Sequence, residues 1–209
     1  MKKLSERIEN LPASATLAMA AKARELKNNG VDVISLSLGE PDFNTPGFIK
    51  EAAIKAIEEN YHSYPPVDGY LELKKAICEK FVRDNDLNYE PSQIVVSTGA
   101  KQSIANVCMA LLNKGDEVLL PAPYWVSYSA IVTLSEAKFK IIPSSLENGF
   151  KITPAQLKSG LTSKTKLIMF NSPNNPSGIV YSEKELNEFA EILEDYPSTY
   201  VLSDEIYEH

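Results

Sequence analysis

The run TYVLSD ends in Asp204 after apolar residues, and Tyr207 follows three positions later. A carboxylate at the end of such a strand is buried or half-buried and must be paired or hydrogen-bonded. Its partner is a cationic ring nitrogen of a bound heterocycle, a helix cap or a structural ion pair. Tyr207 reaches the same ligand if the chain turns. TKLIMF runs straight into NSPNNPSG, Asn171 to Gly178, with three asparagines, two prolines, two serines and a glycine. A turn needs only two or three such residues. Proline also restricts the backbone, so this loop is stiffer than chain reversal requires. In STGAKQ, Gly99, Ala100 and Lys101 stand at a helix start. Unpaired N–H groups and the helix dipole favour an anion there, glycine permits close approach, and lysine adds charge. The same residues also suit a plain capped helix with an exposed lysine. Neither GxxxxGK[ST] nor GxGxxG is present, so no nucleotide fingerprint is supported. Trp125, the only tryptophan, offers a face for a flat ring or a packing surface.

These residues need elements to position them. Apolar runs at VISLS (33–37), IVVST (94–98), EVLLP, KFKII, TKLIMF and TYVLSD predict strands. Helices are predicted over Ser14–Gly30, from Thr45-Pro46 to about Asn60, over Tyr70–Asp86 and Lys101–Asn113, within YWVSYSAIVTL, and after Thr153-Pro154. Ser182 with Glu185 forms a capping-box pattern before ELNEFAEILEDY. Alternating strands and helices predict an α/β fold: a three-layer, mostly parallel sheet with helices on both faces. In such sheets ligands sit beyond the carboxyl ends of the strands. Gly39-Glu40-Pro41, Gly99-Ala100-Lys101, Ala122-Pro123-Tyr124-Trp125, NSPNNPSG and Asp204 all follow strands, and so fall on one side. Residues 1–45 are less regular and are assigned to a small-domain or interface arm, with 46–209 forming the N-terminal part of a large domain.

Composition narrows the classes. The chain has 209 residues, 44% hydrophobic and 23% charged, enough for a sizeable core. A net charge of -7 argues against a nucleic-acid partner. Two cysteines, Cys78 and Cys108, and two histidines, His62 and His209, form no metal-ligand spacing, so no metal is expected. Both cysteines read as packing residues, which fits a reducing cytoplasm. No signal peptide and no membrane-spanning run are visible.

The stretches LGEPDF, YPPVDGYLELKKAI, STGAKQS, PYWVSY, NSPNNPSG and SDEIYEH together resemble a known family. It is the class I and II aminotransferase type of pyridoxal-phosphate (PLP) enzymes, fold type I, and the likeness is strongest to the bacterial aspartate aminotransferase subgroup. The resemblance implies that Gly99, Ala100 and Lys101 meet the phosphate of PLP and that Trp125 stacks on its ring. It implies that Asn175 and Tyr207 bond the phenolic oxygen and that Asp204 pairs with the ring nitrogen. Tyr64 resembles a tyrosine that crosses a homodimer interface to the neighbouring phosphate. Gly39 resembles the glycine whose backbone meets the substrate α-carboxylate. Thr16 and Lys101 resemble the pair that contacts a distal carboxylate, or else Thr16 only starts a helix and Lys101 serves phosphate alone. Trp125 and Asn175 also face substrate.

The implied reaction moves an amino group between aspartate and 2-oxoglutarate, with aromatic keto acids such as prephenate accepted by some relatives. Carbon–sulfur lyases, decarboxylases and cyclopropane-carboxylate synthases share most of these loops, and so would a non-catalytic effector-sensing domain. Ala100 stands where relatives often have a second glycine, and Asp68 where a small residue is commoner; neither removes an implied contact. No lysine of this chain stands in the context of the family's Schiff-base lysine, so the chain is expected to be a fragment, with no catalytic residue of its own and no activity alone.

Overall fold

Alternate residues of a strand face opposite sides of a sheet. In EVLLP and TKLIMFN both alternating sets are largely apolar, so both faces must be covered. The computed structural model describes residues 3–11, 15–36, 39 and 41–209, and of residues 15 and 16 only the backbone. Ser14, Ser37 and Glu40, which figure in the sequence reading, lie outside the described residues. The elements are α1 (Glu6–Glu9), α2 (Ala15–Asn28), α3 (Gly47–Glu58), α4 (Leu71–Asn85), α5 (Ala100–Leu111), β1 (Glu117–Pro121), α6 (Ser127–Leu134), β2 (Lys138–Ile142), α7 (Pro154–Gly160), β3 (Thr165–Asn171), α8 (Glu183–Glu194) and β4 (Tyr200–Asp204). The chain divides into two units, Met1–Pro12 with Thr98–His209, and Ala13–Ser97.

The larger unit holds a parallel sheet of order β2-β1-β3-β4. Val118 and Leu120 of β1 and Leu167 and Met169 of β3 pack against Ile104 and Cys108 of α5 and Tyr128 and Val132 of α6. On the other face Leu119, Ile168 and Phe170 meet Leu157 of α7 and Phe189 of α8. Phe170 and Phe189 stack with ring centroids 5.6 Å apart. Each fully buried leucine in these layers contributes about 1.5–3 kcal/mol. The three-layer α/β expectation therefore holds, with the central strands β1 and β3 buried and the edge strands β2 and β4 more exposed.

Local signals explain where the helices begin. Thr153 accepts the Gln156 N–H at 3.3 Å while the Gln156 side chain accepts the Thr153 N–H at 2.8 Å. Ser182 and Glu185 make the same reciprocal pair ahead of α8. Cys108 is fully buried, and burial pushes its thiol up to about 11, so it packs as an inert apolar group.

The smaller unit carries α2, α3, α4 and an extended stretch at 94–97, and it corrects three expectations. Residues 33–36 form no strand, and Ile34 and Leu36 are exposed. Residues 94–97 form none either: Val96 N–H bonds Asp68 O at 3.0 Å, but Val95 is exposed. An apolar run becomes a strand only when a neighbour completes its ladder. Thr45 does not cap α3, whose N-cap is Pro46 with no side-chain bond. Gly69 packs against Val96 at φ +101°, where an added Cβ would lie 2.6 Å from Val96 Cγ2. Beside it, the buried Lys74 pairs with Asp68 and holds its carboxyl below the usual range.

Candidate active site

The parallel register puts Asn171, the last residue of β3, opposite Asp204, the last of β4. Both strands therefore release their chains at one level. Asn171 is buried and uses both ends of its amide. Its Oδ1 accepts the Asn175 N–H at 2.6 Å, and its Nδ2 donates to the Asp204 carbonyl at 2.8 Å. Asn174 Nδ2 donates to Pro123 O at 3.1 Å, tying this loop to the one after β1. Asn174 Oδ1 also accepts from Ser177 N at 3.1 Å and Ser177 Oγ at 2.6 Å. The peptides before Pro123, Pro173 and Pro176 are cis. With its neighbours pinned, Asn175 donates from Nδ2 to the Tyr207 hydroxyl at 3.0 Å.

Asp204 is half-buried. Its Oδ2 accepts from Tyr128 Oη at 2.6 Å, and its Oδ1 accepts the Ile206 N–H at 3.3 Å. Burial, and then the neighbouring carboxylate, push the Tyr128 phenol far up, so it stays protonated and donates. A carboxylate offers about four lone-pair positions, so room remains for a cationic N–H.

Trp125 is half-buried. The Lys101 ammonium lies 4.9 Å from its ring centroid, a favourable cation–π position. Its edge contact with Tyr128, with centroids 5.6 Å apart at 90°, fixes the indole plane. Lys101 stands in the first turn of α5, which Gly99 opens at φ +84°, ψ 158° with no side-chain cap. A Cβ on Gly99 would meet nothing within 4 Å, so glycine is required there by the backbone alone. The cluster presents a carboxylate, an amide and phenol pair, an indole, and an ammonium beside a helix start. That donor set fits a flat heterocycle with a protonated ring nitrogen, a phenolic oxygen and an anionic arm.

The family model for aminotransferase class I and II matches residues 31–209. The chain belongs to the class I and II aminotransferases. It is 48% identical over 206 residues to the probable aspartate/prephenate aminotransferase of Rickettsia felis, covering 99% of this chain and 50% of that protein. The crystal structure of the aspartate aminotransferase from Rhizobium meliloti superposes with a TM-score of 0.96 at 43% identity, over 100% of this chain and 52% of that one. The Thermus thermophilus aspartate aminotransferase with maleate does so with a TM-score of 0.96 at 41% identity, over 100% of this chain and 55% of that one. The chain spans about half the length of the curated relatives it matches.

Of the residues singled out in this aminotransferase sequence, Asn175 with Tyr207 and Lys101 with Trp125 touch directly. Asp204 joins them through Asn171 and Tyr128. Gly39 and Tyr64 are exposed in the smaller unit. Thr16 is the second residue of α2, and its side chain lies outside the described residues. Three site residues escape a reading of the sequence: Tyr128, Asn171 and Asn174. Tyr128 lies inside PYWVSY, and both asparagines lie inside NSPNNPSG, so these segments contain them without distinguishing them.

Proposed function

We propose that the chain serves in a PLP-dependent aminotransferase acting on aspartate and 2-oxoglutarate, as a cytoplasmic homodimer. The observation that carries this reading is the link, through the Asn171 amide, from Asp204 to the Asn175–Tyr207 pair across the ends of β3 and β4. When bound, the cofactor supplies an electron-accepting ring for the bonds at the substrate Cα. Asp204 keeps a proton on the ring nitrogen, since an adjacent carboxylate favours the cationic form. Asn175 and Tyr207 donate to the phenolic oxygen. Gly99, Ala100 and Lys101, with Tyr64 from the neighbouring subunit, hold the phosphate. Trp125 covers the ring face. The Gly39 backbone meets the substrate α-carboxylate, which also faces Asn175 and Trp125. Thr16 and Lys101 meet the distal carboxylate. The maleate that accompanies the Thermus thermophilus aspartate aminotransferase is a dicarboxylate, which supports an acidic substrate. The likeness to the probable aspartate/prephenate aminotransferase of Rickettsia felis supports prephenate as a further acceptor.

The test supplies the full-length protein and PLP with aspartate and 2-oxoglutarate, and follows oxaloacetate and glutamate. Equal formation of both is expected, with near-complete loss in Asp204→Ala. Carbon dioxide release or elimination in place of amino transfer would favour the decarboxylase or lyase reading. On the isolated 209-residue chain, borohydride reduction is expected to leave no specific PLP–lysine adduct.

A further inference from the structure

Asn171 has no role in the chemistry proposed above, yet it is the residue through which two chemical groups are joined. It is 5% exposed. A buried amide of this kind needs partners at both ends, of opposite polarity. One end accepts the Asn175 N–H at 2.6 Å and the other donates to the Asp204 carbonyl at 2.8 Å. The two anchored residues are those assigned to opposite edges of one ring. The backbone bonds of the loop lie elsewhere: Asn174 N–H to Ile179 O at 2.9 Å and Gly178 N–H to Asn174 O at 2.8 Å. These close the loop on itself without fixing it to β4.

We propose that Asn171 is a positioning residue, which sets Asn175 and Asp204 relative to one another through a single side-chain amide. The contacts stand on geometry; their consequence for a cofactor rests on the aminotransferase reading. Leucine keeps the branching and heavy-atom count of the side chain and removes both bonds. Aspartate keeps an acceptor for Asn175 and loses the donor to Asp204, so it separates the two branches.

The experiment uses the full-length protein and two measurements. Amide hydrogen exchange is read first, without cofactor. Asn171→Leu is expected to speed exchange at the Asn175 N–H about tenfold or more, with Ile168 and Met169 unchanged, while Asn171→Asp keeps Asn175 near its native rate. An unchanged Asn175 rate in Asn171→Leu, or a rate in Asn171→Asp as fast as in Asn171→Leu, overturns the proposal. If leucine prevents folding, the Asn171→Asp rate against native decides alone: near-native supports the proposal, tenfold acceleration overturns it. PLP affinity is read second. Asn171→Leu is expected to weaken it about tenfold, and to add little in an Asn175→Ala background, because residues acting through one another are non-additive. Fully additive losses overturn the coupling. Failure of the native protein to bind PLP would sink the aminotransferase reading and leave the exchange result to judge Asn171.

Discussion

Tyr128 Oη donates to Asp204 Oδ2 at 2.6 Å, joining α6 to the end of β4 across 76 positions of sequence. The tyrosine is 1% exposed, so the bond forms away from competing water. A hydrogen bond to a charged partner contributes about 1.5–3 kcal/mol. Tyr128→Phe keeps the ring and its contact with Trp125, and removes only the donor. Transamination by the full-length variant is expected to fall about tenfold or more, and the urea midpoint to fall with the lost bond. Native turnover in Tyr128→Phe would show that Asp204 does not depend on this bond.

Lys101 lies over the face of Trp125, at the first turn of α5. If its ammonium also reads a distal carboxylate, Lys101→Ala should lower kcat/KM for aspartate more than for a neutral amino acid, by about tenfold. Equal losses would assign the lysine to phosphate alone.

Gly69 and Gly99 both sit at positive φ, but their surroundings differ. Gly99→Ala meets open space, so its cost is backbone strain, about 1–3 kcal/mol. Gly69→Ala adds an overlap with Val96, and overpacking costs about a further 1–3 kcal/mol. Urea unfolding should therefore rank Gly69→Ala as the less stable variant. Cofactor affinity is expected to suffer more in Gly99→Ala. The opposite ranking on stability would contradict the packing around Val96.

Glu185 accepts from Lys151 at 2.8 Å and from the Ser182 N–H at 2.7 Å. The Lys151 bond, followed by the Ser182 backbone, lowers its carboxyl from 4.5 to about 2. A folded pKa below the unfolded one contributes stability above the unfolded value, and that stability is lost as pH falls through the folded value. The loss is thus expected between pH 4.5 and about 2. Partial exposure limits it to about 1 kcal/mol or less. Glu185→Gln retains the capping reach but not the charge, so its stability should fall less steeply over that window in urea titrations. Parallel pH curves for the two proteins would rule out this linkage.

Sequence legibility followed from whether a signal was local. Thr153 and Thr45 both precede proline, yet only Thr153 caps a helix. Gln156 stands three residues after Thr153 and closes the box; Phe48 stands three after Thr45 and cannot. EVLLP and TKLIMF announced central strands because both of their faces are apolar. VISLS and IVVST carried the same signal, but pairing is a property of two segments, and one sequence run cannot report it. At the site, Asp204 and Tyr207 stood out as polar groups at and after a strand end, whereas Asn175 was distinguished within NSPNNPSG only by the family resemblance. Tyr128 did not stand out, because an aromatic residue on an apolar helix reads as core, and its hydroxyl finds Asp204 only once the chain has folded.

The ladder between β3 and β4 is also a measuring device. A slip of one residue would carry Asp204 along the strand by about 3.3 Å and turn its side chain to the opposite face. The tolerance of the pocket is thus set by backbone bonds from Leu167↔Tyr200 to Asn171↔Asp204, like the graduations of a caliper. Substitutions that loosen these strands far from any ligand would blur the spacing of its jaws before they unfolded the sheet.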